Sequence, residues 1–468
     1  MYDGGLRVAI HTLGCKVNQY ESEAIKEQFI SAGDVIVGED EPADVYIVNT
    51  CTVTNVADRK SRQYIRRMKR HNPYAMMVVT GCYAQVSANE IEELSEVDMI
   101  IGNDLKATIC GRVHRRFLHE AGCSKVENAA NRHMAEPEVD VLGSGELTEY
   151  EDMGVMRHEE SPMSRAFIKI QDGCNRFCSY CKIPYARGNI RSRQAEDIIE
   201  EARLLVQSGY REIVLTGINT ALYGFEDRSG GEYPLGFLIS EINSIEGDFR
   251  VRLSSLEPNV VNVNDVRSLA AYDKLCHHLH LSIQSGSDAV LRRMNRNYTG
   301  KDYLKIVKAL RDFDPYYGIT TDIIVGFPGE TDEDFADTVE MVREAEFGRV
   351  HGFRYSPRKG TKAAEFTDAV APDVKNERMA VLLEAAEESA RVFNRRNHAR
   401  IHRVLTEEYA GDYISGYTDN YIRTYIYDPA HSLATGHFYD VKLSGESGDG
   451  CLAELARAVH SEGGIKDE

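Results

Sequence analysis

Three times in its first hundred residues this chain runs an apolar, strand-like segment into a cysteine. LRVAIHTLGC ends at Cys15, ADVYIVNTC at Cys51 and AMMVVTGC at Cys82. Helix-like stretches lie between them: one from Asn18 that stops at Gly33, and a basic one that stops before Pro73. After Cys82, SANE (87–90) has the form of a capping box opening a short helix, and VDMIIGN closes the unit as a fourth strand. Strands separated by helices are joined by crossovers, which predicts a parallel sheet over residues 1–120. All carboxyl ends of such a sheet share one edge, where α/β folds bind ligands. Cysteines 36 and 31 residues apart are therefore expected to meet at one rim. Three small buried hydrophobes are the alternative reading.

A second cysteine set stands at GCNRFCSYCKIPYARG (173–188), with Cys174, Cys178 and Cys181 spaced C-x3-C-x2-C. Soft thiolates select zinc, copper(I) or iron–sulfur clusters. Structural zinc closes its shell with four ligands, whereas three ligands suit a cluster with one iron left open. A zinc knuckle completed by His277, His278 or His280 remains the alternative.

At 468 residues the chain is too long for one ordinary core. Residues 121–163 carry three Lys/Arg against ten Asp/Glu and few large apolar side chains. They read as an acidic linker or an ordered strap. Strand–helix alternation returns over 164–400: AFIKIQ, REIVLTG, FRVRLSS, HLHLSIQ, GITTDIIVGF and VHGFRYS are six strand candidates of a curled, part-barrel parallel sheet. The long helical run 373–400 follows. The Tyr-rich, alternating tail, 401–460, predicts a small antiparallel barrel. The expected fold class is thus α/β throughout, closed by a small β-barrel.

Neither a signal peptide nor an apolar run of membrane length is visible, so the expected location is cytoplasmic, with no membrane partner. Thiols stay reduced there, and ten cysteines then argue for metal chemistry rather than disulfides. The net charge of −19 looks wrong for a nucleic-acid binder, but it is uneven. RKSRQYIRRMKRH (59–71) holds seven basic residues and no acid. Global charge therefore does not exclude RNA.

The motifs TLGCKVNQYESE (12–23), NTCTVTNVADRKSRQ (49–63), TGCYAQ (80–85), GCNRFCSYCKIPYARGNIRSR (173–193) and DIIVGFPGETDEDF (322–335) resemble those of the radical S-adenosylmethionine (radical SAM) methylthiotransferases. The likeness spans nearly the whole chain and is weakest over 121–163. GCKVNQYES and CSYCKIPYARG resemble the branch that acts on threonylcarbamoyladenosine in tRNA. The branches for isopentenyladenosine and for a ribosomal-protein aspartate are the alternatives. A zinc-stabilised RNA-binding scaffold is the non-enzyme alternative.

The resemblance implies two 4Fe–4S clusters. Cys174, Cys178 and Cys181 would hold the one that binds SAM and yields a 5′-deoxyadenosyl radical. Cys15, Cys51 and Cys82 would hold an auxiliary cluster carrying the sulfur to be methylated and delivered. Two SAM molecules would be used per product, one as methyl donor and one as radical source. No catalytic residue beyond the cluster ligands is required. An electron donor such as flavodoxin or ferredoxin, and a sulfur donor, are implied partners.

Expected SAM contacts lie at strand ends: Thr216 and Gly217 in LTGIN, Glu257 in LSSLEP, and Ser282 and Gln284 in LSIQSGSD. Helix capping or turn chemistry is the plainer reading of these residues. GYTDNY (416–421) resembles a TRAM signature, which makes the tail an RNA-binding candidate through Tyr421. The expected phosphate contacts are Arg66, Arg67 and Arg70, with Arg191 and Arg193 beside the second cysteine set. The anticodon arm of a tRNA would cross between these patches and the tail.

Overall fold

A computed structural model describes residues 5–52, 54–121, 136–155, 164–226, 234–398 and 400–456. Its N-terminal sheet is wholly parallel, with order β2-β1-β3-β4-β5-β6. The strands are β1 (Arg7–Thr12), β2 (Val35–Val37), β3 (Val45–Thr50), β4 (Met76–Gly81), β5 (Met99–Ile101) and β6 (Glu138–Asp140). Every residue of β3 and β4 is buried, because helices cover both faces. Alternate residues serve two cores: Tyr46, Val48, Met77 and Val79 on one side, and Val45, Ile47, Met76 and Val78 on the other.

Two strands were not expected from sequence. β2 has only three residues and carries no period. β6 comes from the acidic stretch 121–163, so part of the expected linker extends the sheet. Leu147 of that stretch is fully buried. Residues 122–135 and 156–163 lie outside the described residues.

The second unit contains β7 (Arg165–Asp172), β8 (Arg191–Ser192), β9 (Glu212–Gly217), β10 (Arg250–Leu253), β11 (Ser255–Leu256), β12 (His278–Leu281), β13 (Gly318–Val325) and β14 (Arg349–Arg354). They form two four-stranded sheets, β10-β9-β7-β8 and β11-β12-β13-β14. The expected third strand is broken at Ser254: β10 pairs with β9, and β11 pairs with β12. All pairs are parallel except the short β7–β8 ladder. The six expected strands thus wrap as a part-barrel around one large core.

The tail is a closed barrel of β15 (Ile401–Ala410), β16 (Tyr413–Thr418), β17 (Arg423–Tyr427), β18 (Phe438–Ser447) and β19 (Gly450–Leu455), in the order β15-β16-β17-β19-β18. One pair, β17–β19, is parallel rather than antiparallel. Phe393 of the long helix Pro372–Asn397 inserts into its core. Buried Arg250 and Arg252 seat the barrel on the part-barrel by donating to the carbonyls of Arg403, Tyr417, Thr418 and Asp419. Fully buried Glu212 accepts from both guanidinium groups and offsets part of their charge.

Candidate active site

β1, β3 and β4 are adjacent, with Thr12 opposite Asn49, and Asn49 opposite Thr80. The chain leaves all three at the same edge, and there stand Cys15, Cys51 and Cys82. Gly14 lets the first loop pass the second: its φ is +106°, and a Cβ there would lie 2.8 Å from the Cys51 Sγ. Gly81 has φ +95°, and a Cβ would press to 2.5 Å on the Thr50 nitrogen. Cys51 and Cys82 are buried and Cys15 is exposed.

The second cysteine set occupies the loop after β7. Gly173 turns the chain with φ +72°, where a Cβ would meet the Asn189 carbonyl at 1.6 Å. The loop is pinned by Cys174 N donating to the Gly188 carbonyl (3.0 Å) and by Ser179 N donating to that of Met294 (3.0 Å). Burial pushes the Cys174 thiol up to about 11. Burial, with Cys178 beside it, drives Cys181 further up. Three such thiols hold their protons at neutral pH until a cation displaces them, which is how a thiolate metal site loads. Soft thiol donors of this kind suit an iron–sulfur cluster at this loop, and the N-terminal rim carries the same donor type.

Around the loop the part-barrel brings together several of the expected strand-end residues. Thr216 is buried at the end of β9, and its Oγ1 has no hydrogen-bond partner among the described residues. Gly217 packs against Gln171 at the end of β7, whose Oε1 accepts from Asn219 N. Glu257 accepts from Asn219 Nδ2 at 2.9 Å and from Arg296 Nη1 at 2.6 Å. Arg296 also donates to the Tyr180 hydroxyl at 2.9 Å, between Cys178 and Cys181. Gln284 holds φ +71° and bridges β12 to β13. Ser282 is already engaged, donating to Asp322 Oδ2 at 2.9 Å.

Sequence reasoning missed Arg296, Asn219 and Tyr180. Two of them had a signal: Asn219 ends the LTGIN motif and Tyr180 lies inside the cysteine run.

Two of the expected RNA contacts need correction. Arg191 and Arg193 are 3% and 4% exposed. Arg191 donates to the Leu147 carbonyl at 2.8 Å and to Asp104 at 3.1 Å; Arg193 donates to Glu201 at 2.5 Å. Their charge is neutralised inside the protein and is not offered to phosphate. Tyr421 lies at the seam between barrel and part-barrel. Its ring stacks on His278 and Tyr417, with the Arg252 guanidinium 4.8 Å from its centroid.

Arg66, Arg67 and Arg70 are exposed along one face of the helix Asn55–His71. With Lys60, Tyr64 and His11 they line a groove, where the His11 and Tyr64 rings stack at 3.7 Å. Asp40 and Glu96 flank it, 2.8 Å from Arg67 and 3.9 Å from Arg66.

The histidines invoked for zinc are engaged elsewhere. His277 pairs with Asp314, His278 stacks on Tyr421, and His280 meets Asp322. Among the described residues, one mixed donor group is tight enough for an ion without rearrangement: Asp34, Cys110 and His114. It lies apart from both cysteine sets and contains the 2.7 Å Asp34–His114 pair.

The two cysteine sites face each other across a domain contact that the sequence did not reveal. Arg187 follows the second cysteine set by six residues and is fully buried. It reaches Cys82 Sγ at 3.2 Å, Asn18 at 2.7 Å, and both Glu21 and Asp172. Lys106 and Lys169 add 2.5 and 2.8 Å pairs to Glu21. Burial opposes ionisation of Asp172, but Arg187, Lys169 and Arg191 outweigh it and hold the carboxyl below its usual range.

This geometry defines an α/β radical SAM enzyme with a second thiol site on an added parallel-sheet domain. Comparison with known proteins gives the same class. Residues 168–342 match the radical SAM superfamily, and 7–102 match a family described as uncharacterized protein family UPF0004. The structure resembles that of the radical S-adenosylmethionine methyltransferase TsrM from Kitasatospora setae, with TM-score 0.56 and 14% identity over 77% of each chain. That likeness concerns the fold. The threonylcarbamoyladenosine tRNA methylthiotransferase MtaB of Bacillus subtilis is 40% identical over 89% of each chain, and that of Thermotoga maritima 39% identical over 97% of this chain and 98% of its own. The tRNA-2-methylthio-N(6)-dimethylallyladenosine synthase of Carboxydothermus hydrogenoformans is 36% identical over 85% and 87%.

The chain belongs to the radical SAM methylthiotransferase family and is MtaB-like. As such it is an enzyme that uses an iron–sulfur cluster and SAM. No helix among the described residues is long and apolar enough to cross a membrane.

Proposed function

We propose that this enzyme adds a methylthio group to carbon 2 of the adenine of N6-threonylcarbamoyladenosine, next to the anticodon of tRNA. Cys174, Cys178 and Cys181 hold one 4Fe–4S cluster, and Cys15, Cys51 and Cys82 hold a second. When bound, these groups supply reductive SAM cleavage at the first site and the sulfur to be transferred at the second. The protein's own residues orient and exclude water. Thr216, Gly217, Glu257 and Gln284 line the carboxyl ends of the barrel strands where SAM binds. Ser282 supports that wall through Asp322. The groove of Arg66, Arg67 and Arg70 takes the anticodon arm by phosphate contact, and the barrel, TRAM-like in its signature, presents Tyr413 and Tyr427, exposed by 37% and 60%, to the RNA. A flavodoxin- or ferredoxin-type protein delivers the electrons in the cytoplasm, and a separate donor restores the sulfur.

The observation that carries this reading is the buried contact by which Arg187, six residues after Cys181, reaches Cys82. The same chemistry on dimethylallyladenosine is the second reading, favoured by the 36% identity to a synthase of that name. Mass spectrometry of tRNA nucleosides from cells with and without the gene separates them. Loss of 2-methylthio-N6-threonylcarbamoyladenosine supports the first reading. Loss of the dimethylallyl product instead overturns the substrate assignment and keeps the chemistry.

A further inference from the structure

Arg187 spends all five of its N–H donors. Nε donates to Cys82 Sγ at 3.2 Å, Nη1 to Glu21 Oε1 and to Asp172 Oδ2 at 3.1 Å, and Nη2 to Asn18 Oδ1 at 2.7 Å and to Glu21 Oε2 at 3.1 Å. A guanidinium has five donors in a fixed plane, so this pattern leaves its orientation no freedom. The group is fully buried. Arg187 shares the Glu21 and Asp172 carboxylates with Lys106, Lys169 and Arg191 in this pocket. The donor to Cys82 comes from the other domain, on the short helix Ile183–Arg187 that leaves the radical SAM loop.

We infer that Arg187 is a positioning residue for the auxiliary site: its Nε–H···Sγ bond raises the reduction potential of the cluster held there and fixes that cluster against the radical SAM loop. The inference rests on the reading of Cys15, Cys51 and Cys82 as cluster ligands. Hydrogen bonds to ligand sulfur, and nearby positive charge, favour the more negative reduced state of a cluster. The neighbouring Asn103 does not replace it: its Nδ2 is 3.9 Å from Cys82 Sγ and 2.7 Å from the Ala186 carbonyl.

The test uses the full chain carrying C174A, C178A and C181A, so that only the auxiliary site can report, after anaerobic reconstitution with iron and sulfide. Arg187→Lys keeps a charge beside Glu21 but cannot serve Glu21 and Cys82 together, and circular dichroism checks that each variant compared is folded. Arg191→Lys is the control, a similar change in the same charge network that touches no thiol. An EPR-monitored redox titration is expected to show a more negative midpoint for Arg187→Lys and none for Arg191→Lys. Cluster loss to a chelator should be about 10–100-fold faster in Arg187→Lys alone. An unchanged midpoint, or an equal shift in both variants, overturns the inference and leaves the ligand reading intact. A chain that assembles no cluster overturns the ligand reading, and this inference with it.

Discussion

Arg358 reaches out of the loop after β14, and its Nη2 lies 2.7 Å from the Asp58 carboxylate at the start of the helix Asn55–His71. The same nitrogen bonds Thr52, one residue past Cys51, and Asn55 returns bonds to Ser356 and to the Pro357 carbonyl. Both side chains of the pair are about nine-tenths buried. Removing one partner leaves the other charge buried and unpaired, which costs about 3–5 kcal/mol. Arg358→Met is therefore expected to lower the melting temperature and to speed amide exchange over 52–58. Methylthio transfer should fall more than SAM cleavage, because the contact joins the two sites and builds neither. Equal losses in both reactions would count against this reading.

The cysteine sets separate by stoichiometry. Replacing Cys174, Cys178 and Cys181 by Ala should leave about four irons of about eight and abolish 5′-deoxyadenosine formation. Replacing Cys15, Cys51 and Cys82 should also leave about four, with SAM cleavage retained and no methylthio product. Iron analysis and product assays on the same samples check both. A preparation holding zinc and no iron would return the scaffold reading to the front.

Much of this arrangement was legible because cysteine, glycine and strand patterns are local. The ends of β1, β3 and β4 could be read from apolar runs, and their shared rim follows from parallel topology. The acidic stretch was not legible: β6 pairs through its backbone, and its side chains are exposed or partly exposed. Arg191 and Arg193 show the limit most plainly. A run such as RSR reads as surface charge, yet Asp104 and the Leu147 carbonyl, 87 and 44 residues away, draw Arg191 inside, and Glu201, in the next helix, draws in Arg193. Arg187 escaped notice for the same reason, since Glu21 lies 166 residues away.

The RNA face yields a prediction about salt as well as affinity. Reversing Arg66, Arg67 and Arg70 to Glu should weaken tRNA binding and reduce the slope of log affinity against log salt by about three phosphate contacts. Their exposure keeps the cost to the fold small, since the pairs with Asp40 and Glu96 lie at the surface. Arg191→Gln or Arg193→Gln should do the opposite, costing stability while the salt slope stays put. Filter binding across a salt series, with thermal melts of each variant, distinguishes the two classes. An unchanged slope in the triple variant would move the RNA to another face.

The acidic stretch also carries a pH dependence. Glu151 packs against the N-terminal domain, where Ala107 N donates to its Oε1 at 2.8 Å and its Oε2 has no partner among the described residues. Burial pushes its carboxyl up to about 7, against the pull of nearby Lys106. An unfolded glutamate titrates near ~4.3. The folded state therefore holds roughly one proton that the unfolded state has released between these values. A raised folded value means stability that is whole below the unfolded value and is lost as pH rises through about 7. Glu151→Gln stays neutral throughout and escapes that loss. Urea unfolding of both proteins from pH 5 to pH 8 should show the variant gaining on the parent as pH rises, with the gain levelling off above about 7. The other buried carboxyls, such as Asp172 with its lowered value, are common to both proteins and cancel in the difference. A stability difference that stays constant across this range would mean that Glu151 is ionised in the folded protein at every pH tested, with Lys106 rather than burial deciding its charge.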